Sequence, residues 1–302
     1  MIKKEIGSNF ILFLAALIWG LAFVAQKLGA ELIGPFTFNG IRFALGALSL
    51  LPVIAILKKI GLSSSKASFK KLLAYGTLCG SIMFVASWLQ QSAMKDVDAG
   101  KAGFITGFYI VLVPLFGLFL KQKTNLFTWI GAALAVTGLY FLNVNENMSL
   151  NFSPGILALL ISSFLWAAHI ICIDHCVQRS DALRLSCVQC FVCSALSMIC
   201  AFIFESVTLA SIKSAAVPIA YGGFFSVGLA YTFQVIGQKN SRPAVAAIVL
   251  SLESVTAAIG GALMLKESLG ARGVIGCVLI FAGIIASQLK TIALSEAGIK
   301  NK

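Results

Sequence analysis

Residues 9–28 read NFILFLAALIWGLAFVAQKL, a run in which only Lys27 carries a full charge. About 20 consecutive apolar residues are needed for an α-helix to cross the roughly 30 Å hydrocarbon core of a bilayer. The run lacks a small-residue cleavage site followed by a soluble domain, which would be typical of a secretory signal. It therefore predicts a first transmembrane helix.

Nine further apolar runs follow, separated by short polar segments. They lie at 36–57, 71–91, 102–120, 127–143, 155–174, 182–204, 214–236, 243–265 and 271–289. The chain is 59% apolar and 11% charged, whereas soluble domains are roughly 45–50% apolar and about 25% charged. Because so few charges cannot cover the chain with water-compatible surface, we predict an all-α membrane protein with ten transmembrane helices.

The 23 lysines and arginines are distributed unevenly between alternate connecting segments. Sixteen fall on one side of the predicted membrane and six on the other, while Arg42 lies inside a helix. Cytoplasmic loops are enriched in Lys and Arg, so both termini are predicted to be cytoplasmic. The net charge of +12 then indicates loops near anionic lipid, because no basic patch interleaved with aromatics suggests nucleic-acid binding.

Short identities recur along the chain at offsets of 145 to 147 residues. The matching pairs are 74–76 with 220–222, Trp19 with Trp166, Lys121 with Lys266, Gly131 with Gly276, and Gly138 with Gly283. A repeat of five spans must be inverted in the membrane because five is odd. We therefore predict two inverted five-helix repeats at 1–145 and 153–290, followed by a cytoplasmic tail at 291–302.

Several stretches resemble the tandem EamA-type transporters of the drug/metabolite transporter superfamily. They are ALIWGLAF at 16–23, FNGIRF at 38–43, GFITGFY at 103–109, VPL at 113–115, SLE at 251–253 and KESL at 266–269. The resemblance covers essentially the whole chain and implies two inverted repeats around a central cavity, with the fifth and tenth helices at the periphery. Relatives export amino acids and metabolites or carry sugars and nucleotide sugars. Ser254 stands where the family often has proline, which predicts a straighter ninth helix.

Aromatic and hydrogen-bonding residues share single faces of several predicted helices; Trp19, Phe23 and Gln26, for example, recur at i, i+4 and i+7. The candidate substrate-binding residues are Trp19, Phe23, Gln26, Trp88, Gln91, Thr106, Tyr109, Trp166, His169, Tyr231, Gln234 and Glu253. Such mixed stripes suit an amphipathic organic solute, because binding sites are mostly apolar with a few placed polar groups. The alternative for each aromatic residue is core packing or an interfacial belt.

Two ionisable residues lie inside apolar runs. Glu253 is about halfway along the ninth run, where a charge costs on the order of 3 kcal/mol. It must therefore face a wet cavity, pair, or stay protonated, and we interpret it as a proton-coupling or amine-binding group; a neutral Glu bonded to a neighbouring backbone is the alternative. Arg42 is predicted to snorkel to the outer headgroups or to pair with Glu31, with an anionic-substrate contact as the alternative.

The eight cysteines lie almost entirely within apolar runs and are interpreted as free thiols packed as small hydrophobes. Two groups stand out: Cys187, Cys190 and Cys193 at every third position, and Cys172, His175 and Cys176 at one helix end. A metal site would need tetrahedral convergence and orienting second-shell groups, neither of which this spacing assures. We predict neither a metal nor a cofactor.

These features predict secondary active transport of a small organic metabolite by alternating access across the bacterial cytoplasmic membrane. The family resemblance implies export of an amino acid or a related compound. The expected partners are the small-molecule substrate, membrane lipid and a coupling proton. The chain has no GxxxxGK[ST] loop for ATP and no HExxH motif, which argues against an ATP-driven pump and an intramembrane enzyme. A flippase or carrier for a lipid-linked or amphipathic substrate is the alternative.

Overall fold

The computed structural model describes residues 2–59, 68–120, 125–143, 153–267 and 271–296, and these residues form helices joined by turns, without strands. The polar segments between apolar runs at 58–71 and 143–153 lie partly outside the described residues, at 60–67 and 144–152, and Lys121 of the repeat also lies outside them. The fold class predicted from composition, an all-α protein, is confirmed for the described chain.

The described residues form fourteen α-helices and one π-helix in chain order. They are α1 (Ile2–Ala30), α2 (Pro35–Lys59), α3 (Phe69–Ala93), α4 (Ala99–Thr106), α5 (Tyr109–Phe119), α6 (Leu126–Asn143), α7 (Pro154–Val177), α8 (Ala182–Phe204), α9 (Leu209–Ser214), α10 (Ala216–Ala220), π1 (Tyr221–Tyr231), α11 (Thr232–Gln238), α12 (Pro243–Leu250), α13 (Leu252–Met264) and α14 (Ala271–Glu296). The last helix continues beyond 289, where the final apolar run was predicted to end.

Where consecutive helices are joined into one segment, eight segments of the described chain are long and apolar enough to cross a membrane. They are Lys4–Ala30, Pro35–Lys59, Phe69–Ala93, Ala99–Phe119, Pro154–Val177, Ala182–Phe204, Ala216–Gln238 and Pro243–Met264. Two shorter apolar helical segments lie at Leu126–Gly138 and Ala271–Ser287. Each of the ten predicted runs therefore coincides with a helical segment, and eight of them have the length and composition of transmembrane spans.

Two of these spans are interrupted near their middle. Gly107 and Phe108 separate α4 from α5, and Ser251 separates α12 from α13. The interruption at Ser251 is one residue long and keeps right-handed helical backbone angles, and Ser254 stands where the family often has proline, so the straighter ninth helix stays a prediction. The Ser254 hydroxyl instead donates a hydrogen bond of 2.7 Å to the Gly103 carbonyl. It therefore ties one interrupted span to the other, and discontinuous helices of this kind mark binding sites in many transporters.

The largest buried cluster surrounds the two interrupted spans. It joins Leu12 of α1, Phe43 of α2, Met83 of α3, Trp166 of α7 and Tyr231 of π1. In contrast, α6 and α14 pack mainly on each other through glycine, since a Cβ at Gly131 would lie 2.7 Å from the Gly283 carbonyl oxygen. Close backbone approach at small residues is the usual way that membrane helices associate.

Two glutamates cap helices that are distant in sequence. The Glu205 carboxylate accepts hydrogen bonds of 2.8 Å from two backbone N–H groups at the start of α2, and a third of 2.6 Å from the Thr37 hydroxyl. The Glu267 carboxylate accepts from the N–H groups of Ala99 and Gly100, at 2.8 and 3.0 Å, at the start of α4. N-terminal amides of a helix lack internal partners and favour negative charge. Each carboxylate therefore fastens a second-half segment to a first-half helix.

Replacing either cap with glutamine should weaken this attachment. Glu205→Gln and Glu267→Gln retain one acceptor oxygen and lose the negative charge, so we expect the free energy of unfolding to fall by about 0.5–2 kcal/mol in each. Thermal unfolding of the purified variants measures the change, with Glu31→Gln as the control because Glu31 is an exposed acid. Unchanged midpoints in both cap variants would contradict a stabilising role.

Candidate functional site

A small cavity of about 40 Å³ lies beside the interrupted helices. It is lined by Trp19, Phe23, Gln26, Arg42, Gln90, Thr106, Tyr109, Trp166, Ile170, Ser226, Tyr231, Gln234, Leu250 and Glu253. These residues come from both predicted halves of the chain. Because pockets for small molecules measure roughly 300–1,000 Å³, the cavity would have to widen to hold a solute.

Aromatic rings form one wall of the cavity. The Trp19 and Tyr231 ring centroids are 4.7 Å apart with the rings edge to face, and those of Trp166 and Tyr231 are 6.0 Å apart. The Trp19 indole N–H donates a hydrogen bond of 3.1 Å to the Ser226 carbonyl oxygen in π1. A π-helix departs from the regular α-helical pattern of backbone hydrogen bonds. A backbone carbonyl in π1, such as that of Ser226, can therefore accept a hydrogen bond from a side chain. The polar edge of Trp19 is thereby held while its apolar face is left to the cavity.

A chain of amides holds the opposite indole. The Trp166 N–H donates to Gln90 Oε1 at 2.8 Å, and Gln90 Nε2 donates to Gln26 Oε1 at 2.9 Å. Gln91 Nε2 donates to the Gln26 backbone carbonyl at 3.0 Å and so fixes α1 against α3. Buried and connected hydrogen bonds of this kind set the orientation of each member.

Glu253 is the acidic residue of the cavity, and only 5% of its surface is exposed. The Tyr109 hydroxyl donates a hydrogen bond of 2.9 Å to Glu253 Oε1. Tyr109 is the first residue of α5 and Glu253 the second residue of α13, so each follows directly on a helix break. The bond therefore joins the two interrupted spans at the cavity wall. Glu253 therefore lines the cavity and accepts a hydrogen bond from Tyr109, and its role in proton coupling or amine binding stays a prediction.

Arg42 lies in the same cavity, and its predicted snorkelling and pairing with Glu31 were wrong. The side chain is 2% exposed, and its Nε donates a hydrogen bond of 2.9 Å to Asn39 Oδ1. The guanidinium carbon is 4.8 Å from the centre of the Phe43 ring and 5.4 Å from that of Phe38. Stacking on two rings holds the charge in the interior. Within the described chain it has no carboxylate partner at salt-bridge distance.

Two further polar groups in the cavity have no hydrogen-bond partner among the described residues. They are the Thr106 hydroxyl and Oε1 of Gln234, both on side chains at most 2% exposed. A buried polar group left unpaired costs about 1–3 kcal/mol. The cavity therefore holds unused hydrogen-bonding capacity that a bound polar molecule would satisfy.

Nine of the twelve predicted residues line the cavity, and three do not: Trp88, Gln91 and His169. Trp88 stacks on Phe36 at a centroid distance of 5.3 Å. His169 is fully buried behind the wall, where its ring nitrogen Nε2 lies 3.1 Å from Gln189 Oε1 and its ring meets Trp166 edge-on.

The sequence prediction missed Gln90 and misassigned Arg42. On α3 the face toward the interior carries Met83, Ala86, Ser87 and Gln90, all buried. Their spacing of three and four residues indicates a single helix face, and it could have identified Gln90. The prediction instead chose Trp88 and Gln91, which lie close to Gln90 in the sequence. Ser226 lines the cavity through π1, which apolar periodicity does not reveal.

Comparison with known proteins agrees with this architecture. The profile of the EamA-like transporter family matches residues 7–144 and, a second time, residues 153–288. An uncharacterized transporter of Archaeoglobus fulgidus is 28% identical over 95% of this chain and 87% of its own length. The uncharacterized transporter YoaV of Bacillus subtilis is 26% identical over 94% of this chain and 96% of its own.

A solved protein crystal structure shares the fold. It superposes with a TM-score of 0.77, covers 95% of this chain and 98% of its own, and is 20% identical in sequence. The uncharacterized inner membrane transporter YedA of Escherichia coli K12 matches about half of this chain, at 26% identity over 162 residues.

Proposed function

Because the chain belongs to the EamA-like transporter family, we propose that it is a secondary transporter that exports a small zwitterionic metabolite by alternating access. The substrate class is an amino acid or a close relative with an apolar side chain. The pathway runs through the cavity between the two halves, and both termini face the cytoplasm of a bacterial cell.

The observation that carries this proposal is a guanidinium and a carboxyl in one small, mainly apolar cavity. Among the described residues, the buried Arg42 guanidinium has no acidic partner, and the Glu253 carboxyl accepts a hydrogen bond from the Tyr109 hydroxyl. A guanidinium fork suits a carboxylate, and a carboxylate suits an ammonium group. The aromatic wall would hold the side chain between them. Thr106 and Gln234 would supply the remaining hydrogen bonds.

The proposed architecture has ten spans in two inverted repeats, 1–145 and 153–290. Its support is the double match to one family profile and the placement of a helix break in each half. Tyr109 and Glu253 follow these breaks and are 144 residues apart, close to the offset of the sequence repeat. In an inverted pair, rocking of one half against the other would open the cavity first to one side and then to the other.

The coupling ion proposed is the proton, with Glu253 as its site. An intramembrane acid is costly and is kept for function by default, and a carboxyl that contacts the substrate can exchange a proton for an ammonium group. Because the cavity measures only about 40 Å³, a compact solute is favoured over the long lipid-linked substrate of a flippase.

A ligand screen on the purified protein tests the proposal. We expect one or more free amino acids to raise the thermal midpoint, with a stabilisation of about 2.7 kcal/mol at 100 times the dissociation constant. The matched controls are the methyl ester and the N-acetyl derivative of each hit, which lack one charge of the zwitterion and should stabilise much less. Stabilisation by sugars or lipids, or equally by the blocked derivatives, would contradict the zwitterion assignment.

A further inference from the structure

Three cysteine thiols meet away from the cavity. Cys79 of α3 and Cys172 of α7 have sulfur atoms 3.3 Å apart, and the Cys172 and Cys176 sulfurs are 3.9 Å apart. All three sulfur atoms lie within 4.8 Å of one another. Because α3 and α7 belong to different predicted halves, the spacing of cysteines along the sequence does not show this convergence.

We propose that Cys79, Cys172 and Cys176 form a binding site for one soft metal ion, of which Cu(I) is the best match. Thiolate sulfur is a soft ligand that selects Cu(I) among the physiological metals of low charge. A structural zinc site uses four ligands, whereas no fourth His, Cys or carboxylate donor joins these three among the described residues. A ligand set of three sulfur atoms, without an oxygen or nitrogen donor, favours Cu(I) over the less soft Zn²⁺.

The surroundings suit a buried thiolate site. Cys79 and Cys176 belong to an apolar cluster with Leu72, Ile173 and Val177, which excludes water and hard oxygen ligands. Cys172 and Cys176 also line an open apolar groove between helices. None of the three thiols is in a disulfide. The site is therefore enclosed by apolar side chains except on the side of this groove.

Binding requires thiolates, so each coordinating thiol releases its proton to solvent as the ion enters. With one Cu(I), three thiolates leave a net charge of minus two at the site. His175 and Arg179 lie at the same end of α7, with Arg179 Nη1 3.3 Å from His175 Nδ1. Arg179 is tied to this helix end by its backbone N–H, which donates to the Cys176 carbonyl at 3.1 Å.

The cysteines at 187, 190 and 193 form no equivalent cluster among the described residues. The Cys187 thiol donates to the Ala47 carbonyl at 3.6 Å, and the Cys193 sulfur lies 3.7 Å from the Ser87 hydroxyl. For these cysteines the packing interpretation stands. For Cys79, Cys172 and Cys176 the present proposal replaces it.

Competition with a chromophoric chelator tests the site. Reduced, purified protein is titrated under anaerobic conditions with the Cu(I)–bicinchoninate complex, whose colour is lost as the protein takes the ion. We expect one equivalent of Cu(I) to move to each chain, and each of Cys79→Ser, Cys172→Ser and Cys176→Ser to weaken binding at least tenfold. Cys277→Ser is the matched control, a half-buried cysteine outside the cluster, and should bind as the wild type does.

A second measurement needs no variant. Cu(I) should protect Cys172, the half-buried member of the cluster, from alkylation by N-ethylmaleimide in the wild-type chain, read by mass spectrometry, while the half-buried Cys200 stays as reactive as before. X-ray absorption should show sulfur ligands only. Failure of the wild type to decolourise the chelate, equal uptake by the triple serine variant, or protection of Cys200 alone would overturn the proposal. None of these outcomes depends on the transported substrate.

Discussion

Arg42→Met should bind the transported substrate about 30-fold more weakly, or worse, while the empty protein is at least as stable as the wild type. Removing one partner of a buried, hydrogen-bonded charge pair costs about 2–5 kcal/mol, and each 1.4 kcal/mol is tenfold in affinity. The guanidinium would be the anchor for the substrate carboxylate, because no carboxylate of the described chain occupies it. Without the guanidinium, the carboxylate of the bound substrate would be buried without a partner.

The stability half of this prediction separates a binding role from a structural one. A buried charge replaced by an apolar side chain of similar length is often neutral or stabilising, because the desolvation penalty disappears. Methionine would still pack between the Phe38 and Phe43 rings that now flank the guanidinium. If Arg42 served the fold alone, the thermal midpoint of Arg42→Met would fall, and substrate affinity would change only through that loss.

The measurement is calorimetric or fluorescence titration with the strongest ligand of the screen, beside thermal unfolding of the empty protein. Arg42→Lys is the matched control, since it keeps the charge and loses the planar fork and its stacking. We expect it to recover part of the affinity. Wild-type affinity in Arg42→Met would remove Arg42 from the site.

The helices were predictable because the bilayer imposes a simple requirement on the sequence. A span needs about 20 apolar residues, so each apolar run can be recognised from its own sequence, without knowledge of any other part of the chain. The interruptions at Gly107 and Ser251 were not predictable in the same way, because a break of one or two residues barely changes local apolarity. The residue at position 254 did not predict the interruption either, since proline is only one of several ways to end a helix.

The cavity was predictable where its residues share one face of a helix. Trp19, Phe23 and Gln26 all line it, as their spacing required. Arg42 was misplaced because depth along a helix says nothing about rotation, and arginine near a helix end usually snorkels. Its burial depends on Phe38 and Phe43, which enclose it from the same helix. That signal was local and available in the sequence.

Contacts between distant segments were the part that sequence could not supply. The cap that Glu205 provides for α2 and the convergence of Cys79 with Cys172 join residues 93 or more positions apart. Neither follows from periodicity, because both depend on which helices are neighbours and at what rotation. The same holds for the bond between Tyr109 and Glu253, although each residue was separately identified as a site candidate.

Glu253→Gln should fold and bind substrate but lose accumulation driven by a proton gradient. Glutamine keeps the shape of the side chain and an acceptor oxygen for the Tyr109 hydroxyl, which now donates at 2.9 Å. Unlike a carboxyl group, the glutamine amide cannot gain or lose a proton in the pH range where transport occurs. Coupling requires that the carboxyl bind a proton in one half of the transport cycle and release it in the other. We therefore expect the variant to exchange labelled for unlabelled substrate but not to move substrate against its gradient.

Proteoliposomes with an imposed pH gradient separate these two activities. Uphill transport by Glu253→Gln should fall to the level of empty vesicles, while exchange at equal pH stays within a few-fold of the wild type. Glu31→Gln, an exposed acid outside the cavity, is the matched control and should retain both. Tyr109→Phe keeps the carboxyl and removes its donor, so it should retain coupling with a shifted dependence on pH. Full gradient-driven accumulation by Glu253→Gln would place the coupling proton elsewhere, because no other side chain lining the cavity is a carboxylic acid.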